Sequence, residues 1–209
     1  MKITRIKQSC FIIEMAGQSI CIDPFKVPKD AKKADIILIS HTHPDHASKG
    51  SINNVKKEDT EIICPATSGK LIKKWNAKGL DVDESIDIKG INIKGVPAYN
   101  LNKSWHKKEM NWLGYVINGE GISMYHAGDT DFVPELKKLI GLDYAFIPVG
   151  GQFTMNDSEA MEMIEAIKPK NMIPMHQRGM DLAEFKKTLE EKIPGVNVIT
   201  LLANEEYSA

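Results

Sequence analysis

The chain has 209 residues, 42% of them hydrophobic and 26% charged, and its 27 basic side chains nearly balance its 28 acidic ones. This composition is typical of a globular protein, and we expect one domain over residues 1–209. The chain lacks the basic excess of a dedicated nucleic-acid binder, and no apolar run approaches the roughly 20 residues needed to span a bilayer. Neither a nucleic-acid partner nor a membrane is therefore expected.

The cysteines and the N-terminal residues indicate a cytoplasmic protein. Cys10, Cys21 and Cys64 are odd in number, lie among apolar residues and form no CxxC motif. This pattern is typical of reduced cysteines in a protein core. The first residues alternate from Met1 onward and lack the long apolar stretch of a signal peptide, so we expect a cytoplasmic location.

The first half of the chain is rich in predicted strands. Apolar and β-branched runs predict strands at residues 2–8, 10–15, 19–23, 35–40, 62–64, 86–88, 91–99, 112–117 and 122–126. One helix is predicted within this half, at residues 67–77, before Gly79.

Helices and strands alternate in the second half. Helices are predicted at residues 133–139, 158–167 and 182–192, and strands at 144–148, 171–175 and 197–202. Asn156 or Asp157 can cap the second of these helices with support from Glu159, and Pro169 follows its end. Strands followed by alternating helix and strand predict an α/β fold, an αββα sandwich of two mixed sheets with helices on the outer faces.

The densest cluster of potential metal ligands is His41-Thr42-His43-Pro44-Asp45-His46, directly after a predicted buried strand. Residues two apart in an extended chain point the same way, so His41 and His43 can hold one ion. Pro44 keeps His43 out of helical geometry and can begin a helical turn, which would direct Asp45 and His46 elsewhere. Imidazole and carboxylate ligands suit zinc, manganese, iron or nickel. A polar loop that collects three of the chain's six histidines by chance is the weaker interpretation.

The motif resembles the signature of the metallo-β-lactamase superfamily. Later segments resemble its remaining motifs in order: Gly128-Asp129-Thr130, and Pro174-Met175-His176. Ile22-Asp23-Pro24 and the segment from Gly150 to Met155 are similar to the UlaG-like branch of hydrolases. The resemblance covers essentially the whole chain and implies two divalent ions, zinc first among them, at one edge between the sheets.

The resemblance also implies a role for each matching residue. His41, His43 and a third histidine would hold one ion, and Asp45, His46 and His176 the other. Asp129 would bridge the two ions, although Gly128-Asp129 taken alone also fits a plain turn. Asp45 and Asp129 are the residues expected to take part in catalysis.

The third histidine of the first ion has two candidates. Where many relatives place a histidine after a strand, this chain has Asn100, a poor ligand for zinc. His126 closes an apolar strand and is expected beneath the site, whereas His106 lies in a polar segment that can reach over it. We therefore assign His106 as the ligand.

Other residues leave two interpretations open. Asp23 fits either an orienting partner of a ligand histidine or a turn residue. Gly150 and Gly151 fit either an anion-binding backbone or a tight connection. Trp105 and Trp112 flank a polar stretch that could cover the site, but such tryptophans are more often packed. Arg178 could contact an anion, but a solvated arginine is commoner.

The expected activity is hydrolysis of an ester, lactone or phosphodiester bond in a small molecule by a metal-activated hydroxide. Three alternatives are a nuclease of the same fold, a redox di-iron protein and a metal-binding sensor without turnover. The chain is short for a nuclease with an added nucleic-acid domain. His43 stands where redox relatives usually carry glutamate, and intact ligands at every motif argue against a sensor.

Overall fold

Two mixed sheets of seven strands each pack face to face in the computed structural model, which describes residues 1–209. The first sheet has the order β14-β1-β2-β3-β4-β5-β6. Its strands are β1 (Lys2–Lys7), β2 (Cys10–Met15), β3 (Gln18–Ile22), β4 (Ala34–Leu38), β5 (Lys56–Pro65), β6 (Lys78–Leu80) and β14 (Glu206–Ser208). Neighbours from β3 to β6 run parallel, and the other pairs are antiparallel.

The second sheet has the order β13-β12-β11-β10-β9-β8-β7. Its strands are β7 (Ser85–Ile88), β8 (Ile91–Pro97), β9 (Leu113–Gly119), β10 (Ile122–His126), β11 (Tyr144–Pro148), β12 (Asn171–Met175) and β13 (Asn197–Val198). Here β10 to β13 are parallel and β7 to β10 antiparallel. Each sheet therefore presents the carboxyl ends of several parallel strands at one edge, where loops can bring side chains together.

Successive side chains of the buried strands point alternately into two hydrophobic cores. In β4, Ile36 and Leu38 join the main core between the sheets, whereas Ile37 packs in the smaller outer core. Successive side chains of a strand point to opposite faces, so a strand covered on both sides is apolar throughout. Phe11 and Phe146 meet across the two sheets with ring centroids 4.8 Å apart.

Four helices cover the outer faces of the sheets: α1 (Lys49–Val55), α2 (Gly69–Trp75), α3 (Asp157–Ile167) and α4 (Leu182–Lys192). In α1, Ile52 and Val55 pack into the outer core of the first sheet. The αββα sandwich is confirmed. Helix α3 begins with the capping box expected from Asn156 and Glu159. No helix exceeds 11 residues, and none has the length and apolarity of a membrane span.

Several element boundaries differ from the prediction. The helix predicted at 133–139 is a 3₁₀ segment, Pro134–Lys138, closed by bonds from Leu136 N to Val133 O and from Leu139 N to Leu136 O. The helix predicted at 67–77 spans only Gly69–Trp75 and ends at Asn76 in left-handed geometry. The strand predicted at 197–202 stops at Val198; farther on, the Leu201 carbonyl accepts a hydrogen bond from Arg5.

One short α-helix and two short strands were missed, and the length of one strand was underestimated. Helix α1 and strands β6 and β14 have seven, three and three residues, too few for a clear periodic pattern. Strand β5 extends from Lys56 to Pro65: its polar residues Lys56 and Glu61 pair with Ala34 and Ile36 of β4, with an irregular register between these two pairs.

Candidate metal centre

The potential ligands lie where strands of both sheets end. Asp23 follows β3, and the segment from His41 to His46 follows β4, its parallel neighbour in the first sheet. Asp129 follows β10, and His176 follows β12, both in the parallel half of the second sheet. Residues far apart in the chain therefore meet at one edge of the sandwich.

One group joins His41, His43 and His106, whose ligand atoms lie within 4.8 Å of one another. The rings of His41 and His106 are 5.0 Å apart, and those of His43 and His106 are 5.1 Å apart, centroid to centroid. The loop between β8 and β9 thus brings His106 over the motif. Trp112 packs against this group, with its ring centroid 4.8 Å from that of His41, so it is a buried wall of the site.

A second group joins Asp45, His46 and His176 by the same distance limit. Asp129 lies between the groups. Its Oδ1 is 3.4 Å from His46 Nε2, and its Oδ2 is 3.3 Å from His176 Nε2 and 3.6 Å from His106 Nε2. One carboxylate therefore faces histidines of both groups, as the bridging prediction requires.

Several buried atoms at this centre have no hydrogen-bond partner in the protein. They include His41 Nε2, His46 Nε2, His106 Nε2 and Asp129 Oδ1. Burying polar atoms without partners is costly, and native proteins seldom do so. Four such atoms in a cluster of imidazoles and carboxylates fit the ligands of divalent ions. The residues present therefore suit the metals that the sequence predicts.

Asp23 orients two of the histidines. Its Oδ2 lies 2.8 Å from His46 Nδ1 and accepts a hydrogen bond of 2.7 Å from the Ser40 hydroxyl, while Oδ1 accepts from Ser40 N at 2.7 Å. Since the Ser40 hydroxyl donates to Asp23, it accepts from His41 Nδ1, 2.9 Å away. Both histidines thus carry a proton on Nδ1 and direct Nε2 into the site. Of the two interpretations of Asp23, the structure favours the orienting one.

Asn100 orients His106 in the same way. Its Nδ2 donates to Asp131 Oδ1 and to the Phe153 carbonyl, each at 3.1 Å, so its Oδ1 faces His106 Nδ1 at 2.9 Å and accepts a hydrogen bond from the Nδ1 proton. His106 Nε2 is then the free ligand atom. Asp131 also accepts from Lys103 Nζ at 2.5 Å and from Leu101 N at 2.9 Å. Asp131 therefore supports the loop that carries His106.

His126 lies away from both groups. Its Nε2 is 2.9 Å from the Ser9 carbonyl, and its Nδ1 accepts from Gly128 N at 3.3 Å. The ring is fully buried beside Phe11 and Phe146. Both nitrogens are in use within the core, so His126 has no free atom for a metal.

The electrostatics separate neutral from charged ligands. Burial lowers the pKa of His41 well below its usual range and that of His106 to about 4, so both are neutral near pH 7. Burial also disfavours charge on His46, but Asp129 and Asp23 outweigh it and hold the pKa of His46 well above its usual range. Burial opposes ionisation of Asp129, yet His46 and His176 keep its pKa well below the usual range. Without an ion, a charged pair of His46 and Asp129 lies at the centre.

A pocket of about 250 Å³ opens onto the ligands. Its wall includes Asp45, His106, Asp129, His176, Trp105, Phe153 and Arg178. Trp105, 53% exposed, meets Phe153 edge-on at 4.9 Å, and the Arg178 guanidinium lies 4.3 Å from the centre of the Phe153 ring. Trp105 and Arg178 are therefore at the mouth of the site, while Trp112 is packed in its wall.

Gly150 allows close passage of the chain beside His176. A Cβ atom at Gly150 would lie 2.2 Å from the His176 carbonyl oxygen, closer than atoms can approach. The Gly151 amide already donates to the Met155 carbonyl, and Gln152 N to the Gly150 carbonyl. These contacts favour the tight-connection interpretation over an anion-binding backbone.

Gln8 is a site residue that the sequence did not reveal. Its Nε2 lies 2.5 Å from Asp45 Oδ2 and 2.8 Å from His176 Nε2, so one amide contacts two ligands of the second group. Its backbone is left-handed, with φ of 56°. Gln8 lies in the turn between β1 and β2 and belongs to no motif, and its two contacts span 37 and 168 residues, so no local pattern could have identified it.

The chain resembles known proteins along most of its length. Residues 2–176 match the model of the Beta-lactamase superfamily domain. UPF0173 metal-dependent hydrolases from Methanopyrus kandleri and Nanoarchaeum equitans are 32% and 34% identical to it, over 99% of both chains in each case. A crystal structure from Parabacteroides distasonis has a TM-score of 0.87 at 33% identity and covers 95% of this chain and 91% of its own.

Proposed function

Because the chain belongs to the metallo-β-lactamase superfamily, we propose that it is a metal-dependent hydrolase with two divalent ions, acting on an ester, lactone or phosphodiester bond of a small molecule. The main support for this proposal is the set of buried potential ligand atoms around Asp129 that have no hydrogen-bond partner in the protein. Zinc is the first candidate, and manganese, iron and nickel suit the same nitrogen and oxygen ligands.

The residues divide into two ligand sets with one shared member. His41, His43 and His106 would hold one ion, and Asp45, His46 and His176 the other. Asp129 would be common to both, since its two oxygens face different histidines. Bound there, the ions would lower the pKa of a coordinated water towards neutrality and act as Lewis acids on the substrate.

The protein side chains prepare this chemistry. The proton on Nδ1 of His41, His46 and His106 is held by Ser40, Asp23 and Asn100 respectively, which keeps each Nε2 unprotonated once an ion is bound. Asp45 is half-buried and lines the pocket, so its carboxylate can accept a proton beside the substrate. Trp105 and Phe153 contribute aromatic side chains to the mouth of the pocket.

The test is a screen of the metal-loaded chain with metal content measured in parallel. Generic phosphodiester, lactone, ester and thioester substrates are compared with and without chelator. We expect close to two ions per chain and chelator-sensitive turnover of one class. A fully loaded preparation that never exceeds one ion would contradict the binuclear site, and no turnover of any class by a two-ion preparation would contradict the hydrolase.

Two aspartate variants sharpen this test. Asp129→Ala removes the shared ligand and should abolish turnover and lower metal content at both groups. Asp131→Ala leaves every ligand in place but loosens Asn100 and the loop of His106, so a partial loss is expected. Equal activity in the two variants would show that Asp129 does not bridge.

A further inference from the structure

A second pocket, of about 370 Å³, lies beside the metal centre and is lined by positive charge. We call it the basic pocket; its charged members are Arg5, Lys7 and Arg178, and no aspartate or glutamate lines it. The whole chain has a net charge of −1, so this local excess does not follow from the composition. None of the three cations lies within 4.0 Å of a carboxylate, whereas many other lysines of this chain form such pairs.

Arg5 is the buried and most firmly held cation of the basic pocket. Its side chain is buried, and its guanidinium donates to the Leu201 carbonyl at 2.8 Å, to the Gln8 carbonyl at 3.1 Å and to the Gln177 side-chain oxygen. Burial lowers its pKa to about 10, so it remains charged at neutral pH. Buried charges are normally paired with an opposite charge, and here every partner is neutral. Of the five N–H donors of a guanidinium, three are used.

Arg178 connects the basic pocket to the metal centre. Arg178 and His176 line both the basic pocket and the pocket over the ligands. The Arg178 guanidinium is held by Gln152 Oε1 at 2.8 Å and by the face of Phe153. Backbone φ angles of 52° at His176 and 41° at Arg178 turn the chain sharply here. A ligand in the basic pocket would therefore lie next to a ligand of the proposed metals.

We infer that the basic pocket binds an oxyanion, a carboxylate or a phosphate, carried by the substrate whose scissile bond lies at the metal centre. This inference rests on the proposed function and narrows its substrate class to small molecules with a negative group near the bond that is cleaved. Guanidinium groups match carboxylates and phosphates with paired hydrogen bonds, and a lysine adds a mobile point charge. The anion would supply the opposite charge that Arg5 lacks within the protein.

The binding test needs no known substrate. Inorganic phosphate and succinate are titrated separately into the metal-loaded chain by calorimetry, with metal content verified for each preparation. The variants are Lys7→Gln and Arg178→Gln, because both side chains are exposed and their loss should not prevent folding. The control is Lys187→Gln, which removes the same charge from the exposed face of α4.

We expect each variant of the basic pocket to weaken binding of one or both anions by about tenfold, and the control to leave it unchanged. Loss for phosphate alone or succinate alone would identify which oxyanion the pocket prefers. Equal affinities in all four proteins would overturn the inference, since the anions would then be binding elsewhere.

A kinetic test separates this inference from the proposed function. A carboxylate-bearing substrate that the chain hydrolyses is compared with its neutral analogue, in which a primary carboxamide replaces the carboxylate. Arg178→Gln should lower kcat/KM for the charged form about tenfold and leave the neutral form unchanged. Turnover without any preference for charge would overturn the basic pocket and leave the hydrolase standing. Anion binding that depends on Lys7 and Arg178, without turnover of any substrate, would leave an anion site in the basic pocket but overturn the hydrolase and the assignment of the anion to its substrate.

Discussion

Asp23 and His46 form a fully buried pair, with Asp23 Oδ2 2.8 Å from His46 Nδ1. Asp23 also holds Ser40, which in turn holds His41, so one carboxylate orients a histidine of each ligand group. The pair joins the ends of neighbouring parallel strands, β3 and β4. The arrangement of the metal centre therefore depends on a residue that would not contact a metal.

We expect Asp23→Asn to reduce metal affinity by about 10- to 100-fold, as loss of such orienting partners does at other sites. One amide oxygen cannot replace both carboxylate oxygens that accept from Ser40 N, Ser40 Oγ and His46 Nδ1. The measurement is competition for zinc against a chelator of known affinity. Asp30→Asn, on the exposed segment after β3, is the control, and equal affinity in both variants would contradict the orienting role.

The two remaining histidines should respond differently to replacement. His106→Ala should lose an ion from the group with His41 and His43 while the fold remains. His126→Ala should keep the metals but lower the free energy of unfolding by roughly 1–3 kcal/mol, since it leaves the Ser9 carbonyl unpaired and the core underpacked. Metal analysis and chemical denaturation are run on both variants. Full metal content in His106→Ala, with a lost ion in His126→Ala, would mean that the ligand is His126.

Gln8 should compete with the second ion. Its amide lies against Asp45 Oδ2 and His176 Nε2, and an ion held by these atoms has to displace it. Gln8→Ala should therefore tighten binding of the second ion several-fold and leave the first unchanged. A two-step zinc titration measures both affinities. Gln177→Ala is a matched control, because this amide contacts Arg5 rather than a ligand; weaker binding of the second ion in Gln8→Ala alone would instead make Gln8 a supporting residue.

The pKa of His106 predicts how the metal-free protein responds to pH. Burial lowers this pKa from 6.5 to about 4. Between these values the unfolded chain binds a proton that the folded chain excludes, so stability should fall as pH decreases from 6.5 towards 4. The contribution is on the order of 3 kcal/mol. His46 acts in the opposite direction: its raised pKa stabilises the fold at low pH, and this stabilisation is lost as pH rises through that value.

A variant isolates the contribution of His106 from the others. In chelator, denaturation curves at several pH values should show a shallower loss of stability for His106→Gln than for the native chain, because glutamine does not titrate. Lys187→Gln should follow the native profile. Parallel profiles for His106→Gln and the native chain would show that His106 does not exclude its proton on folding.

Features with a strong local pattern were predictable from the sequence. The apolar strand Cys10–Met15 and the capping box at Asn156 and Glu159 followed from residue type and spacing. The short edge strands β6 and β14 did not, because three residues form a strand only when a partner is beside them. The helix predicted at 133–139 had the right composition, but it forms a 3₁₀ segment.

The residues of the candidate site also differ in whether a local sequence pattern reveals them. The motif around His41 and the later His176 could be identified because each side chain belongs to a recognisable segment. The residues that orient these ligands could not be assigned with the same certainty, because Asn100 meets Phe153, and Gln8 meets His176, only through the fold. Local sequence predicts which side chains can bind a metal, and tertiary contacts decide how each one is turned.

The proposed ligands are divided between the two sheets, and this division has a mechanical consequence. The segment from His41 to His46 lies in a loop that follows a strand of the first sheet, whereas His106, Asp129 and His176 lie in loops next to strands of the second. Ions held by both sets would cross-link the two sheets at this edge, since the sheets could not separate there without releasing the ions. Ligands that bind only the folded state suppress its opening by mass action. When metal is scarce, this edge between the sheets would open more often and become accessible to proteases. Metal supply would then control the lifetime of the folded chain as well as its catalytic activity.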